Sequence, residues 1–356
     1  MATVNIIYEG KNITADIAPF LTAFTFTDNS ENNADDLSIT LQDRNSVWLN
    51  EWMPSKGDTI SASISSGRYV MHCGSFEIDE ISYSFPPRTI TLKAVSCAVS
   101  KQSALENHNR TWHDTTLQAI AQDIATSGGL SLFYDAQDYP LEQREQFHSP
   151  DLPFLQQLCS SFGLSVKIST GKIIIFNEND YDSHDSADTI TPDSSRLLSA
   201  SFTSKSAKIF RKSHVKFHHP IKNETYEAEY EDSDEEGSER ELEIFERVDS
   251  QEQAQQVARQ SLIRNNSKEI TATLSLIGNS LYLAGLNISL DGFGMFTGKY
   301  FIDKVTHSVG PGGWTASLSL KMGGQSKKSV NNKKAHTRRK STVTGGIELA
   351  DDSRGY

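Results

Sequence analysis

The stretch GSFEIDEISYS at residues 74–84 aligns without a gap on GKYFIDKVTHS at residues 298–308. Glycine, isoleucine, aspartate and the final serine are identical, and the aromatic, branched aliphatic and hydroxyl positions correspond. Successive side chains of a β-strand point to opposite faces of a sheet, so the match preserves one inward and outward alternation throughout. The two stretches are therefore predicted to be the same strand of a repeated β-module.

The sequence around each copy extends the match in a fixed order. Any two alternating strands look alike, but four elements that recur in one order favour two similar antiparallel β-barrel domains per chain, each closing its sheet into a barrel or half-barrel. Three such chains around an axis would present six similar domains. The further pairs are GDTIS (57–61) with GLNIS (285–289), RTITLKAV (88–95) with WTASLSLKM (314–322), and LTAFTFT (21–27) with LSASFT (198–203).

Helical patterns interrupt the strands in the middle of the chain. Apolar residues from Leu117 to Ile124 follow helical spacing, with Asp114 or Thr115 as the N-cap. Ser149 is the predicted N-cap of a second helix, and the hairpin LSVKI–KIIIF follows it. Ser250 is the predicted N-cap of a third helix.

The predicted fold class is mainly β with a small α/β insertion (α+β). The predicted units are a first tube-like β-barrel domain at 1–104, an inserted α/β domain at 105–188, a second tube-like β-barrel domain at 189–322 and a basic flexible C-terminal tail at 323–356.

Charge is distributed unevenly along the 356 residues. The formal net charge is -12, and it falls to -19 when the seven basic residues of the tail are set aside. A body this acidic repels nucleic acid, so no sequence-specific nucleic-acid partner is expected. No window is apolar enough to span a membrane, and the first residues lack a leader pattern. We therefore expect no membrane partner, and we expect the protein to fold in a cytoplasm.

Four stretches carry a resemblance to a known family. The chain resembles the late control D proteins of contractile-tailed phages, which form the baseplate hub, and is similar to the T-even phage hub and to the hub domain of type VI secretion spike proteins. The stretches are residues 36–58, TLQAIAQDIATSGGL (116–130), residues 145–168 and residues 271–322.

The resemblance implies a structural hub without enzymatic activity. It implies a homotrimer that joins a hexameric tail tube above to a trimeric spike below, beside other baseplate proteins, with passage of DNA through the lumen. The particle would be a virion or a tailocin-like tail, assembled in the cytoplasm of the host bacterium. The basic tail has no counterpart in the family pattern.

Three alternatives to a structural hub are a metal site, a glycan hydrolase and a carbohydrate-binding module. Of His214, His218 and His219, the first two share a strand face, but no nearby cysteine or spaced carboxylate completes a site, so neither a metal nor a cofactor is predicted. A tail-tip glycan hydrolase would use carboxylates such as Asp79 and Glu80, which alternate faces of one strand and cannot readily flank one bond. A carbohydrate-binding β-module is the other alternative.

Two charged segments are candidate partner-binding sites. Ten carboxylates stand between Glu227 and Glu243 with only Arg240 opposing them. This run reads as a solvated loop, as a lumen surface that repels DNA, or as a surface that pairs with a basic partner such as the chain's own tail. The candidate residues are Glu235, Glu236, Lys327, Lys328, Lys333, Lys334, Arg338, Arg339 and Lys340.

Overall fold

The computed structural model describes residues 2–31, 33–44, 46–67, 69–96, 106–169, 171–181, 184–205, 209–220, 222–232 and 239–323. The strands are β1 (Ala2–Tyr8), β2 (Lys11–Asn12), β3 (Leu21–Asn29), β4 (Asp36–Gln42), β5 (Thr59–Ser66), β6 (Tyr69–Ser84), β7 (Thr89–Ser96), β8 (His108–Thr116), β9 (Ser131–Asp135), β10 (Pro140–Ser149), β11 (Ser165–Ser169), β12 (Lys172–Phe176), β13 (Ser186–Ile190), β14 (Leu197–Ser204), β15 (Lys212–His219), β16 (Glu224–Glu231), β17 (Glu241–Ile244), β18 (Ile270–Ile277), β19 (Asn287–Leu290), β20 (Gly298–Gly310) and β21 (Gly313–Met322). The helices are α1 (Thr14–Ile17), α2 (Leu117–Ser127), α3 (Asp151–Ser161), α4 (Glu178–Tyr181) and α5 (Gln251–Asn266), and Val47–Leu49 and Gly294–Phe296 form 3₁₀ turns. The predicted mainly β, α+β fold is confirmed. Within these ranges, no helix combines the length and apolarity that crossing a membrane requires.

One 13-stranded sheet joins the two ends of the chain. Its order is β14-β18-β21-β20-β3-β4-β7-β6-β5-β1-β2, with β19 beside β20 and β13 beside β19. The strands β1 to β7 come from the N-terminal end, and the others come from the C-terminal end. The two sets meet where β20 pairs antiparallel with β3.

Strand order is the same in the two halves. The N-terminal half runs β3-β4-β7-β6-β5, and the C-terminal half runs β14-β18-β21-β20-β19. Each copy of the repeated stretch has an irregularity at its aspartate, because the register shifts between Ile78 and Glu80 in one ladder and between Ile302 and Lys304 in the other. A bulge re-aims the strand locally and is a specific structural feature.

The glycine that precedes each short strand also has one conformation in both halves. Gly57 and Gly285 have φ values of 94° and 95°, in the region that favours glycine. The amide of Gly57 donates to the carbonyl of Ile78 at 2.8 Å, and the amide of Gly285 donates to that of Ile302 at 2.9 Å. The turn and the repeated strand therefore form one unit that occurs twice.

Separate apolar cores lie under the two halves. Phe24, Ile39 and Ile78 are buried in the first, and Tyr300 and Leu318 are buried in the second. Burial of one such side chain contributes about 1.5–3 kcal/mol. Closure of each half into a barrel, and the boundaries at 104, 188 and 322, stay predictions.

The middle of the chain forms the α/β unit that the helical patterns predict. Strands β11 and β12 make the expected hairpin, and β9 joins β12 in parallel. Helix α2 is capped by Thr116, one residue after the predicted cap, because Thr115 still pairs with Leu141 in the ladder of β8 and β10. The same ladder extends to Ser149, so α3 begins after Pro150 and the predicted Ser149 cap is wrong by one residue.

A second inserted unit lies between β14 and β18. Strands β16, β15 and β17 form a three-stranded sheet, and α5 covers one face of it. Ser250 caps α5 as predicted, because its hydroxyl accepts from the amide of Gln253 at 3.2 Å. Val215, Ile244 and Val257 are buried in a core of this unit's own.

Candidate functional site

The charged residues predicted to bind partners lie outside the described residues. The strands β16 and β17, which flank Glu235 and Glu236, are described, and both carry glutamates. The structure places none of the predicted residues Glu235, Glu236, Lys327, Lys328, Lys333, Lys334, Arg338, Arg339 and Lys340.

The junction between β20 and β3 is an example, within one chain, of how the two halves pair. The ladder runs from Lys304 opposite Asn29 to Val309 opposite Phe24. Side chains on both strands are buried there, including Val305 and His307 at 0% exposure and Phe24 at 0%.

His307 lies at the centre of this junction. Its ring stacks on Phe26 at 6.2 Å between centroids, and its Nε2 lies 2.9 Å from the carbonyl oxygen of Tyr282. The indole Nε1 of Trp314 donates to Nδ1 at 3.2 Å. Burial lowers the pKa of His307, although the bond to Tyr282 opposes this. A neutral ring with its proton on Nε2 satisfies both contacts.

A buried ionic cluster lies beside the junction and joins four parts of the chain. The ammonium of Lys321 on β21 lies 2.7 Å from Asp303 and 3.2 Å from Glu31, and 3.7 Å from Glu178 of the first insertion. Arg264 of α5 donates to Glu31 at 2.8 Å. The cluster therefore fixes both insertions against both sheet halves.

The charges in this cluster depend on one another. Burial alone would lower the pKa of Lys321, but Glu178, Asp303 and Glu31 together raise it. Burial opposes ionisation of Glu31, yet Lys321 and Arg264 lower its pKa below the ordinary value. Burial raises the pKa of Glu178. Removal of the lysine would leave Arg264 as the cation beside Glu31 and take the paired ammonium away from Asp303 and Glu178.

Strand β14 and the distal part of β6 correspond to the two strands of the junction, but each has only one strand beside it in the described residues. Strand β14 pairs with β18 on one side only, and its residues are mostly exposed. On β6, the pairing with β5 ends at Glu77, so Glu80 to Ser84 pair with β7 alone. Exposed apolar side chains accompany these edges, with Leu198 at 54% and Phe85 at 70%. Edges of this kind are templates for pairing with another chain.

The histidines considered for a metal site lie on one strand and have different contacts. His214 Nε2 lies 2.8 Å from Glu227, and its Nδ1 lies 3.2 Å from Glu243. His218 bonds Thr225, while His219 is buried.

Carboxylates nevertheless surround His214, which the sequence did not indicate. In the described part of the chain, ligand atoms of His214, Glu241 and Glu243 lie within 4.8 Å of one another. The hydrogen bond to Glu227 raises the pKa of His214, and Glu241 bonds Lys212 at 3.0 Å. Ion pairs account for these contacts, and the absence of a metal stays a prediction.

The carboxylates considered for glycan hydrolysis have structural contacts. Glu80 is exposed and forms a 3.0 Å ion pair with Lys93 and a 2.7 Å hydrogen bond with Ser82. Asp79 lies at the bulge of β6. Its counterpart Asp303 bonds Ser30 at 3.0 Å in the junction, which supports a structural use of this aspartate.

Comparison with known sequences supports the family resemblance. No protein-family model matches the chain. The probable baseplate hub protein of Escherichia phage P2 is 28% identical over 172 residues, which cover 48% of this chain and 43% of that protein. The probable baseplate hub protein of Escherichia phage 186 is 27% identical over 177 residues, which cover 49% and 43%. The chain thus matches less than half the length of these curated relatives.

Comparison with solved structures supports the fold. The 43 kDa tail protein of prophage MuSo2 from Shewanella oneidensis has a TM-score of 0.72 at 16% identity, covering 90% of this chain and 98% of that one. The E. coli c3393 protein, a component of the type VI secretion system, has a TM-score of 0.55 at 12% identity, covering 86% and 74%. The predicted resemblance to baseplate hub and type VI proteins is confirmed.

Proposed function

From this likeness to baseplate hub proteins, we propose that the chain is the structural hub of a contractile tail, in a phage or a tailocin-like particle. Three copies would surround an axis and adapt a hexameric tail tube to a trimeric spike. The protein would act by geometry, without catalysis and without a cofactor, within the baseplate among other baseplate proteins.

The observation that carries this proposal is the shared strand order of the two halves. A closed ring of three chains offers three-fold symmetry to a spike. Because each chain presents two halves of like strand order, the same ring offers six similar surfaces to a tube. One chain with two such halves therefore suits the mismatch between a hexamer and a trimer.

Light scattering and electron microscopy test the proposal. Purified protein should form a species of three times 39.5 kDa, and axial views should show six similar lobes around a central opening. A matched preparation of the Escherichia phage P2 relative provides the reference for a hub. A monomer at every concentration, or a ring with three unlike pairs of lobes, would contradict the proposal.

The charged segments are proposed to contact partners. The basic tail at 323–356 would become ordered on a neighbouring baseplate component or on the acidic run from Glu227 to Glu243. Replacing the acidic residues of that run with serine should change tube or spike binding at low salt. Particles that assemble normally without residues 325–356 would remove the role of the tail.

A further inference from the structure

The repeat gives residue-by-residue correspondence between the strands of the two halves. The quoted alignment matches Lys304 of β20 with Glu80 of β6, and His307 with Tyr83. The bulge lies immediately before Lys304 in β20 and immediately before Glu80 in β6. The part of β20 that pairs with β3 thus corresponds to the part of β6 that pairs with β7 alone.

Strands β3 and β14 correspond equally well. In the ladder of β3 and β4 the register shifts between Leu21 and Ala23, and in the ladder of β14 and β18 it shifts between Leu197 and Ser199. When the two strands are aligned at these shifts, Phe26 of β3 corresponds to Phe202 of β14. Both strands of the junction therefore have counterparts, and both counterparts have an edge without a described partner strand.

We propose that β14 of one copy pairs antiparallel with the distal half of β6 in a neighbouring copy, in the register of the junction within the chain. Ile81 would lie opposite Ser204, Ser82 opposite Thr203, and Tyr83 opposite Phe202. This inference rests on the proposed function and names the partner surface of that assembly, which is a second copy of the same chain.

Burial shows that these edges differ from the completed junction. Val305 and His307 are fully buried, whereas their counterparts Ile81 and Tyr83 are only partly buried against the first core. Phe24 is fully buried, whereas its counterpart Ala200 is exposed. Pairing between β6 and β14 of two copies would bury these residues, as the pairing of β20 with β3 buries their counterparts within one chain.

Side chains across the proposed pairing are complementary. The junction sets Lys304 opposite Asn29, and the same register sets Glu80 opposite Lys205 across copies. Lys205 is exposed, and Glu80 is an exposed carboxylate that pairs with Lys93, accepts from Ser82 and lies near Lys56. Tyr83 would take the position of His307 beside Phe202, the counterpart of Phe26. Within its own chain, Phe202 stacks on Phe296 at 4.9 Å between ring centroids.

Another copy is the proposed partner because β14 and β6 are not paired within the described part of one chain. Six strands, β18, β21, β20, β3, β4 and β7, separate β14 from β6. At about 4.8 Å between neighbouring strands, they span roughly 30 Å or more along the sheet. The contact would join different surfaces on the two copies, so successive copies would form a ring when the rotation closes.

Engineered disulfides test the register. Residues directly opposite in an antiparallel ladder have Cα atoms about 4.5–5.5 Å apart, within the range that a disulfide bridges. Full-length protein with Ser82→Cys and Thr203→Cys should, on oxidation, give covalent dimers and trimers in a denaturing gel without reductant. Either single variant, and the unsubstituted protein, should remain monomeric in that gel.

Two control pairs make the result specific. Thr306→Cys with Thr27→Cys places cysteines at opposed positions of the β20–β3 ladder, and should form a bond within one chain. Ser82→Cys with Ser204→Cys is shifted by one residue, so the side chains would point to opposite faces and should not crosslink. Crosslinking of the shifted pair and not of Ser82→Cys with Thr203→Cys would overturn the register.

Charge reversal adds a second readout. Glu80→Lys or Lys205→Glu alone should weaken association roughly two- to fivefold, and the double reversal should restore it. Trimers by light scattering, without the predicted crosslink or the rescue, would overturn this pairing and leave the hub proposal intact. The absence of any oligomer would count against both.

Discussion

Replacement of Lys321 by methionine should destabilise the protein strongly, because the ammonium neutralises carboxylates inside the fold. The side chain of Lys321 is 8% exposed, and that of Glu31 is 11% exposed at 3.2 Å. Breaking a buried ion pair by removing one partner costs about 3–5 kcal/mol. Asp303 is 34% exposed, so its share is reduced by solvent screening, and we expect a loss near the lower end, about 3 kcal/mol.

The loss should depend on pH in a defined direction. The folded-state pKa of Glu31 lies below its ordinary value, so its contribution to stability is present above the unfolded pKa and is lost as the pH falls through the folded pKa. Without Lys321, protonation of the buried carboxyls relieves the unbalanced charge. The difference between variant and parent should therefore be larger at about pH 7 than at about pH 5.

Urea unfolding, followed by tryptophan fluorescence, provides the assay. The matched control is Lys216→Met, because Lys216 and its partner Glu227 are 55% and 47% exposed, and no measurable loss is expected. A loss below about 1 kcal/mol for Lys321→Met at about pH 7 would refute the reasoning, since that is the scale of a surface pair. An equal loss at both pH values would also refute it.

Three further predictions concern buried positions. Gly278→Ala would place its Cβ 2.2 Å from Cγ of the buried Trp314 and should cost about 1–3 kcal/mol in urea unfolding, while Gly312→Ala, with nothing within 4 Å, should cost almost nothing. Burial lowers the pKa of His307, so its contribution to stability is present above the unfolded pKa and is lost as the pH falls. His307→Gln should therefore flatten the decline in unfolding free energy between about pH 7 and pH 5. An unchanged slope would contradict this. Burial and the nearby charge of Asp28 raise the pKa of Asp35 to about 6, so the stability that its protonated form gives is lost as the pH rises through that value. Asp35→Asn should stabilise the protein by up to about 3 kcal/mol at about pH 8 and have little effect at about pH 4. Thermal unfolding at the two pH values can check this.

The repeated strand could be predicted from sequence because its constraints are local. The positive φ of the turn favours glycine, so Gly57 has its counterpart in Gly285, and the bulge recurs at Asp79 and Asp303. The caps of α2 and α3 were displaced by one residue for a tertiary reason. Pairing between β8 and β10 holds Thr115 and Ser149 extended, and cap preferences alone carry no information on that ladder.

The second insertion was not predicted as a separate unit because its strands alternate like those of the main sheet. The segment Lys212–His219 has the same period as β14, and nothing in its composition marks a change of sheet. Only the pairing with β16 and β17, and the core beneath α5, separates it.

The ionic cluster lies beyond sequence prediction for a related reason. Lys321 stands in an alternating apolar strand, where a single lysine reads as an outward-facing residue. Its carboxylate partners come from β20, from the turn after β3 and from α4. Such distant contacts depend on the arrangement of whole units, whereas the bulge at Asp303 depends on one strand pair.

The differences between the two pairings suit their separate tasks. The junction within the chain forms during folding, so it can bury Phe26 and His307 and be fixed by Lys321. The edges proposed to pair between copies must remain in water before assembly. Strand β14 accordingly exposes Ala200 where β3 buries Phe24, and β6 carries Glu80 at its edge. Polar and charged residues on an exposed edge discourage indiscriminate pairing. We therefore expect Ala200→Phe, which restores the residue type of β3, to increase aggregation of the isolated chain in light scattering, whereas Ala200→Ser should leave it unchanged.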